Sequence, residues 1–206
     1  MTAGTQGAAD GSDWHAFMAW PASYIDTGRL DRCFASPFGR DLCGRLRGSH
    51  RLRDRLSAII AERHALAARV AVDVCDDLDR AIALSSAERL SDIARRSGAI
   101  YWARAIAGVV RPAEVATLHR EIDEALCTLA LIHRDLAGAQ ELHAIEGIGA
   151  RSVEDGLRCV AAWSRAQPEA VGQRVRLKLA AHPALDDPPQ APFADIGPSV
   201  VRCAAA

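Results

Sequence analysis

The chain has 206 residues, half of them apolar, with 25 basic against 26 acidic side chains and a formal net charge of −1. That is enough apolar matter for one or two packed domains, and it leaves no bulk electrostatic pull toward nucleic acid or anionic lipid. The apolar stretches are too short to span a bilayer, and the one starting at Gly98, GAIYWARAIAGVV, is interrupted by Arg104.

The opening MTAGTQGAADGSDW has neither a charged n-region nor an apolar h-region. No signal peptide is visible, and a cytoplasmic protein is expected. In a reducing compartment, Cys33, Cys43, Cys75, Cys127, Cys159 and Cys203 read as small buried hydrophobes. None is at CxxC spacing, which argues against zinc. Lys178 is the only lysine, so arginine usage here carries little information about bidentate chemistry.

In chain order, residues 1–12 are small and polar and read as a disordered lead. Trp14, Phe17 and Trp20 follow at near-helical spacing, and Pro21 ends the run. PASYIDTGRL reads as a short loop that docks Tyr24 before a brief helix. Gly28, Pro37, Gly39, Gly44 and Gly48 break residues 28–50 into short helices and turns. In RLRDRLSAIIAERHALAARVAV, Leu52, Leu56, Ile59, Ile60, Leu66 and Val70 recur near 3.6 spacing and predict one amphipathic helix. DVCDDLDRAIAL carries an acid cluster, Asp73, Asp76, Asp77 and Asp79. A further helix opens at Ser86 and stops before Pro112, which disfavours a helical residue ahead of it.

Residues 112–137 predict the longest helix. Pro112 suits its first turn, and Val115, Leu118, Ile122, Leu126, Leu129, Ile132 and Leu136 form a stripe. A shorter helix is expected over 139–146, then Gly147 and Gly149, then a helix of roughly 151–166. Residues 173–180 are ambiguous: Val175, Leu177 and Leu179 alternate with Arg174, Arg176 and Lys178, as in a strand. From 181 the chain is proline-rich and reads as an extended tail. The fold class expected is all-α, an irregular multi-helix bundle over 13–180 as one domain, with a possible short strand near the C-terminus.

Three groups invite a functional reading. AIEGIGARSVEDGL, residues 144–157, has the glycine spacing of a helix-hairpin-helix DNA clamp, in which amides at a helix N-terminus meet a phosphate. Here Arg151 is the only nearby base, and Glu154 and Asp155 follow. The alternative is a close-packed joint. In that case the 151–166 helix folds back onto the 112–137 helix through Val153, Leu157, Val160 and Trp163, and Gly156 lies against a neighbouring backbone. The second group is the arginine segment 40–55, Arg40, Arg45, Arg47, Arg51, Arg53 and Arg55. Without interleaved aromatics it reads as a solvated face, or as a match for an acidic partner. Together, 144–157 and 40–55 carry the runner-up function, a helical nucleic-acid-binding regulator. The third group is His119 and Asp123, at metal-sharing i,i+4 spacing, with His133 about four turns from His119 and His143 as a further ligand candidate. The bland reading is of helix-surface histidines. GxSxG, HExxH, P-loop and dinucleotide fingerprints are all missing from the sequence, so no catalytic, metal or cofactor-binding residue is assigned.

Three segments, WPASYIDTGRL, RSGAIYWARAIAGVVRPAEVATL and IGARSVEDGLRCVAAWSRAQPEAVGQRVRLKLA, together resemble the SctK/YscK family, a cytosolic component of bacterial type III secretion systems. The likeness spans about residues 20–180 in length and order: an early aromatic docking segment, a helix-interior glycine, and a late glycine-containing helix leading into a basic segment. The chain departs at the end, reading Leu177-Lys178-Leu179-Ala180 where the family has Leu-Arg-Leu-Pro. The resemblance implies a helical adaptor without catalysis or cofactor in the sorting platform. Such an adaptor links the cytosolic domain of an SctD-like inner-membrane ring protein to an SctQ-like C-ring subunit, at the cytoplasmic face of the inner membrane and through protein partners alone.

Overall fold

The structure, a computed structural model, describes residues 3–34, 38–138 and 144–206. Thirteen α-helices and no strand occur among the described residues, so the fold is all-α. The chain divides into two compact units. Unit 1 holds residues 1–87 and 167–182; unit 2 holds 88–166 and 183–206.

Unit 1 opens with α1 (Ala3–Ala19), so the backbone is helical through most of the expected disordered lead. Once Trp14, Phe17 and Met18 are buried, extending the helix toward the N-terminus needs no new nucleation. A 3-10 turn at Pro21–Ser23 then seats Tyr24 beneath α1, its hydroxyl donating to the Phe17 carbonyl at 2.8 Å. The next helix, α2 (Thr27–Asp31), starts where Asp26 accepts from the Gly28 and Arg29 amides, an N-cap made by the expected residue type. Following it are α3 (Arg40–Arg47), α4 (Arg53–Arg63) and α5 (Asp77–Leu84). Ala22, Ile25, Leu30, Cys43, Leu56 and Ile60 form the apolar centre.

The helix predicted to run to Val72 stops at Arg63, and tertiary hydrogen bonds explain why. The Gln173 side chain accepts from the Ala67 amide at 2.6 Å, Arg174 donates to the Ala67 carbonyl at 3.1 Å, and the Trp14 indole donates to the Val70 carbonyl at 3.0 Å. Those backbone groups are thereby satisfied without a helix.

The ambiguous residues 173–180 are not a strand: α11 (Glu169–Leu177) covers them up to Leu177, and 178–180 leave the helix as a turn. Its buried face is Val171, Arg174, Val175 and Lys178, the i, i+3, i+4, i+7 pattern of a helix. The alternation was misleading because two of its basic residues point inward.

Unit 2 begins at Glu88, within the first turn of α6 (Ala87–Tyr101), and continues into α7 (Ala103–Ala107). Helical hydrogen bonds continue through Trp102, from Trp102 N–H to the Gly98 carbonyl and from Ile106 N–H to the Trp102 carbonyl. The expected long helix at 112–137 is broken into α8 (Pro112–Glu121), α9 (Glu124–Ile132) and a 3-10 turn at Arg134–Leu136. Ile122 is extended, and Asp123 caps α9 by accepting from the Leu126 amide at 2.9 Å. Leu118, Ile122, Leu126 and Ile148 still share one core with Ala99, Ala103 and Ile106, so the middle of the stripe stays buried across the break, while Ile132 is exposed. Asp123→Ala is expected to lower stability by about 1 kcal/mol, read by urea denaturation; an unchanged midpoint would count against the cap.

The chain resumes with residues 144–146 as turn, not helix, and α10 (Ile148–Ala166) follows. Residues 139–143, including the rest of that expected short helix and His143, lie outside the described residues. Past 181 the expected extended tail contains α12 (Pro183–Asp186) and α13 (Phe193–Ala205). Pro183 and Pro192 sit at helix starts, where a missing amide is harmless. Gly197, Val200, Val201 and Ala204 supply the buried face of α13.

Candidate functional site

The glycine hairpin is a packed joint. Gly147 has φ +74°, a region that suits glycine, and α10 begins immediately after it. A Cβ on Gly149 would lie 2.5 Å from the Glu121 carbonyl oxygen, so α8 touches the start of α10 backbone to backbone. The Gly149 amide donates to Glu121 Oε2 at 3.4 Å. A carboxylate from the same unit thus sits where a clamp would seat a phosphate, and it satisfies the helix N-terminus for the ordinary dipole reason. The lone base, Arg151, donates to the Ala144 carbonyl and lies 5.8 Å from the Trp102 ring.

Further along α10 the buried face differs from the expected one. Val153 is exposed and Leu157 half-buried, whereas Ser152, Gly156, Cys159, Val160 and Trp163 are buried. The partner at Gly156 is α6, not the 112–137 region: a Cβ on Gly156 would come 1.9 Å from the Ala94 carbonyl oxygen, and one on Gly98 would come 1.8 Å from that of Ser152. Serine, glycine and cysteine on this face let the two backbones touch, which fixes the rotation of α10. The Trp102 indole locks the crossing by donating to Asp155 Oδ2 at 2.9 Å, and Arg158 pairs with the same carboxylate. On another side of α10, a Cβ on Gly197 of α13 would be 2.8 Å from the Ala162 Cβ.

The arginine segment is divided in use. Arg47 donates to the Ile25 carbonyl at 3.2 Å, and the Arg53 guanidinium lies 3.6 Å above the Trp20 ring, a cation–π contact. Arg45, Arg51 and Arg55 are exposed. The acid cluster serves the start of α5: Asp76 accepts from the Asp79 amide, Asp77 pairs with Arg80, and Asp79 is buried.

Three basic groups are buried in unit 1: Arg174 and Lys178, from the segment that reads as strand-like, and Arg29 on α2. Arg174 is 4 % exposed and donates to the carbonyls of Met18, Ala67 and Ala170. Burial pulls its guanidinium below the ordinary arginine range. Arg29 donates to the Leu179 carbonyl at 2.6 Å. Lys178 reaches the end of α5, donating to the carbonyls of Ala83 at 2.6 Å and Ser85 at 2.7 Å, a cationic C-cap. Its ammonium also sits 4.8 Å from the Phe17 ring and 5.3 Å from the Tyr24 ring. It borders a pocket of about 250 Å³ that Asp13, Phe17, Tyr24 and Ser86 also line. The one signal for it in the sequence was its being the sole lysine.

His119 and Asp123 do not share one helix. His119 is exposed on α8, while Asp123, beyond the break, caps α9 and pairs with Arg95 at 3.3 Å. His133 lies instead against Cys203. Among the described residues no group of three or more His, Cys, Asp or Glu side chains is placed to hold a metal ion.

Among the described residues, unit 2 carries an exposed apolar pair and a groove. On α9, Leu131 and Ile132 are exposed, the latter at 67 %. A groove of about 630 Å³ runs between Arg104, Val109, Glu114, Thr117 and Ile145. Fold and surfaces together define a two-unit, all-helical protein with no helix among the described residues long and apolar enough to cross a membrane. No family model, curated protein or solved structure matches the chain.

Proposed function

We propose that the chain is a non-catalytic adaptor of a bacterial type III secretion apparatus, linking an SctD-like inner-membrane ring protein to an SctQ-like C-ring subunit at the cytoplasmic face of the inner membrane. The observation that carries this reading is the resemblance of the three segments to the SctK/YscK family. Their placement supports treating them as framework. In unit 1 the first meets the third, where the Asp26 amide donates to the Leu177 carbonyl at 2.8 Å and Arg29 reaches Leu179. In unit 2 the second meets the third at Gly98 and Gly156. Segments that lock onto one another leave partner binding to other surfaces, and exposed Leu131 and Ile132 on α9 offer an apolar contact of the kind protein interfaces use.

The test is titration of the folded chain with each partner's cytosolic domain. Binding to both is expected; binding to neither sinks the proposal. Leu131→Glu with Ile132→Glu is expected to weaken one of the two by about tenfold at an unchanged melting temperature; full affinity for both partners removes α9 from the contact. A mobility-shift titration at low salt is expected to be flat. A salt-sensitive shift would favour the nucleic-acid regulator instead.

A further inference from the structure

Lys178, the only lysine of the chain, follows α11 and turns inward. It is buried, yet it borders the pocket of about 250 Å³ in unit 1 that Asp13, Phe17, Tyr24, Leu84 and Ser86 also line. Its Nζ is fixed by the Ala83 and Ser85 carbonyls, at 2.6 and 2.7 Å, with the rings of Phe17 and Tyr24 at 4.8 and 5.3 Å. The Ala83 bond is buried, whereas the Ser85 bond is partly open. A neutral amine keeps two N–H donors, so losing a proton leaves both carbonyls paired and frees a lone pair. An amine that is fixed, desolvated and beside a cavity has the parts of a nucleophilic lysine.

We propose that this pocket is a covalent carbonyl-binding site, in which Lys178 Nζ captures a small apolar aldehyde as an iminium. In the step, the neutral amine attacks the carbonyl carbon, and the N–C bond forms as the C–O π bond opens. Both amine protons depart with the oxygen as water, and the resulting imine takes one proton from solvent. The product keeps a positive nitrogen and one N–H. The surroundings select this chemistry. Two carbonyl oxygens and two ring faces favour a cation at the nitrogen. A carbamate would set an anion against the same oxygens, and an amide would discard the charge. Phe17, Tyr24 and Leu84 suit an apolar body on the aldehyde, and a volume below that of drug-sized sites keeps it small.

Burial pushes the Lys178 ammonium down from 10.5 to about 8, so about a tenth of it is neutral at pH 7. Around it, α1 contributes Asp13, which is exposed, and α5 contributes the Ala83 carbonyl. Tyr24 is raised far enough to stay neutral, and Arg174, on α11, acts on Tyr24.

The experiment incubates the full chain with benzaldehyde across about pH 6 to 10.5, quenches with borohydride and maps the added mass by peptide. With one lysine in the sequence, the α-amino group is the competing amine and serves as the exposed reference. At pH 7, Lys178 is expected to gain the adduct about tenfold faster in the folded chain than in guanidinium chloride. The folded-chain rate is expected to rise through a midpoint near pH 8. Lys178→Met is expected to leave the α-amino adduct alone. Ala16→Phe puts a ring into the pocket from α1; it is expected to slow Lys178 labelling about tenfold at an unchanged α-amino rate. A folded-chain rate at pH 7 equal to or below the unfolded one, or a rise only through pH 10, overturns the proposal. So does a wild-type rate in Ala16→Phe shown to be folded by circular dichroism. If Ala16→Phe does not fold, the folded-to-unfolded ratio and the midpoint decide.

Discussion

Gly156→Leu is expected to destabilise unit 2 by about 3 kcal/mol or more, at the upper end of overpacking effects. The reason lies in what surrounds the missing side chain. A Cβ there would be 1.9 Å from the Ala94 carbonyl oxygen and 2.9 Å from the Gly98 nitrogen. Both are backbone atoms of α6, so no rotamer change relieves the clash and the helices themselves must separate. Moving them apart also opens the packing around Trp163, which is fully buried on the same face of α10. Gly156→Ala is the sharper probe, because alanine is the better helix former by about 1 kcal/mol. A fall in melting temperature in spite of that gain isolates the steric term. Gly44→Ala, on α3, where nothing lies within 4 Å of the added carbon, is the matched control and is expected to be neutral or stabilising. A Gly156→Ala variant that melts at or above the wild-type temperature refutes the backbone contact between α6 and α10.

That Gly156 packs against a helix could be inferred from its place seven residues after Gly149, but its partner could not. Periodicity ranks faces by apolarity, and Val153, Leu157 and Val160 made the more apolar line. The face that wins is smaller: Ser152, Gly156 and Cys159 permit a backbone approach that valine and leucine would block. A close crossing is decided by two helices at once, here Gly98 with Gly156 and Ser152, and nothing in either segment alone names the other. The break at Ile122 had a local signal, since Asp123 followed by Glu124 is a good helix start, but a stripe continuing through Leu126 and Leu129 concealed it. The Tyr24 docking and the α2 start were legible because each depends on residues within ten positions.

Unit 1 was less legible for the opposite reason. The end of α4 and the loop to Val70 are held by Trp14, Gln173 and Arg174, residues distant along the chain in both directions. The inward-facing Arg174 and Lys178 break the rule that charge marks the surface. Each satisfies that break with carbonyl oxygens, groups that sequence patterns do not display. For the candidate site, the i,i+4 spacing of His119 and Asp123 assumed a continuous helix, and α8 ends at Glu121. The Cys203–His133 contact joins residues 70 positions apart and had no local signature.

Lys178 makes the stability of unit 1 depend on pH in a direction that can be worked out. Its ammonium is 6 % exposed, and burial pushes its pKa down from 10.5 to about 8. Below pH 8 both the folded and the unfolded chain carry the proton, and the cost of the buried charge is present in full. Between about pH 8 and 10.5 the folded chain has released the proton while the unfolded chain still binds it, so this group's contribution to stability rises with pH. Above that window both states are neutral and the dependence ends. The size follows from the shift: roughly 2 kcal/mol between pH 7 and pH 9.5, out of roughly 3 kcal/mol in all. Other groups act with the opposite sign in this range. Burial raises the thiols, Cys33, Cys43 and Cys75 among them in unit 1, so the unfolded chain loses thiol protons first and stability falls. Tyr24, in contact with Lys178, is raised far enough to stay neutral throughout. The lysine term therefore has to be read as a difference, the unfolding free energy of the wild type minus that of Lys178→Met at each pH, in which the thiol terms cancel. Methionine keeps the apolar contact with Phe17 and Tyr24 and removes the charge and the two hydrogen bonds to Ala83 and Ser85. The difference is expected to be flat below pH 7.5 and to move in favour of the wild type through pH 9.5. A flat difference across the whole range would mean that Lys178 titrates alike in both states, and so is not held where its carbonyl contacts place it.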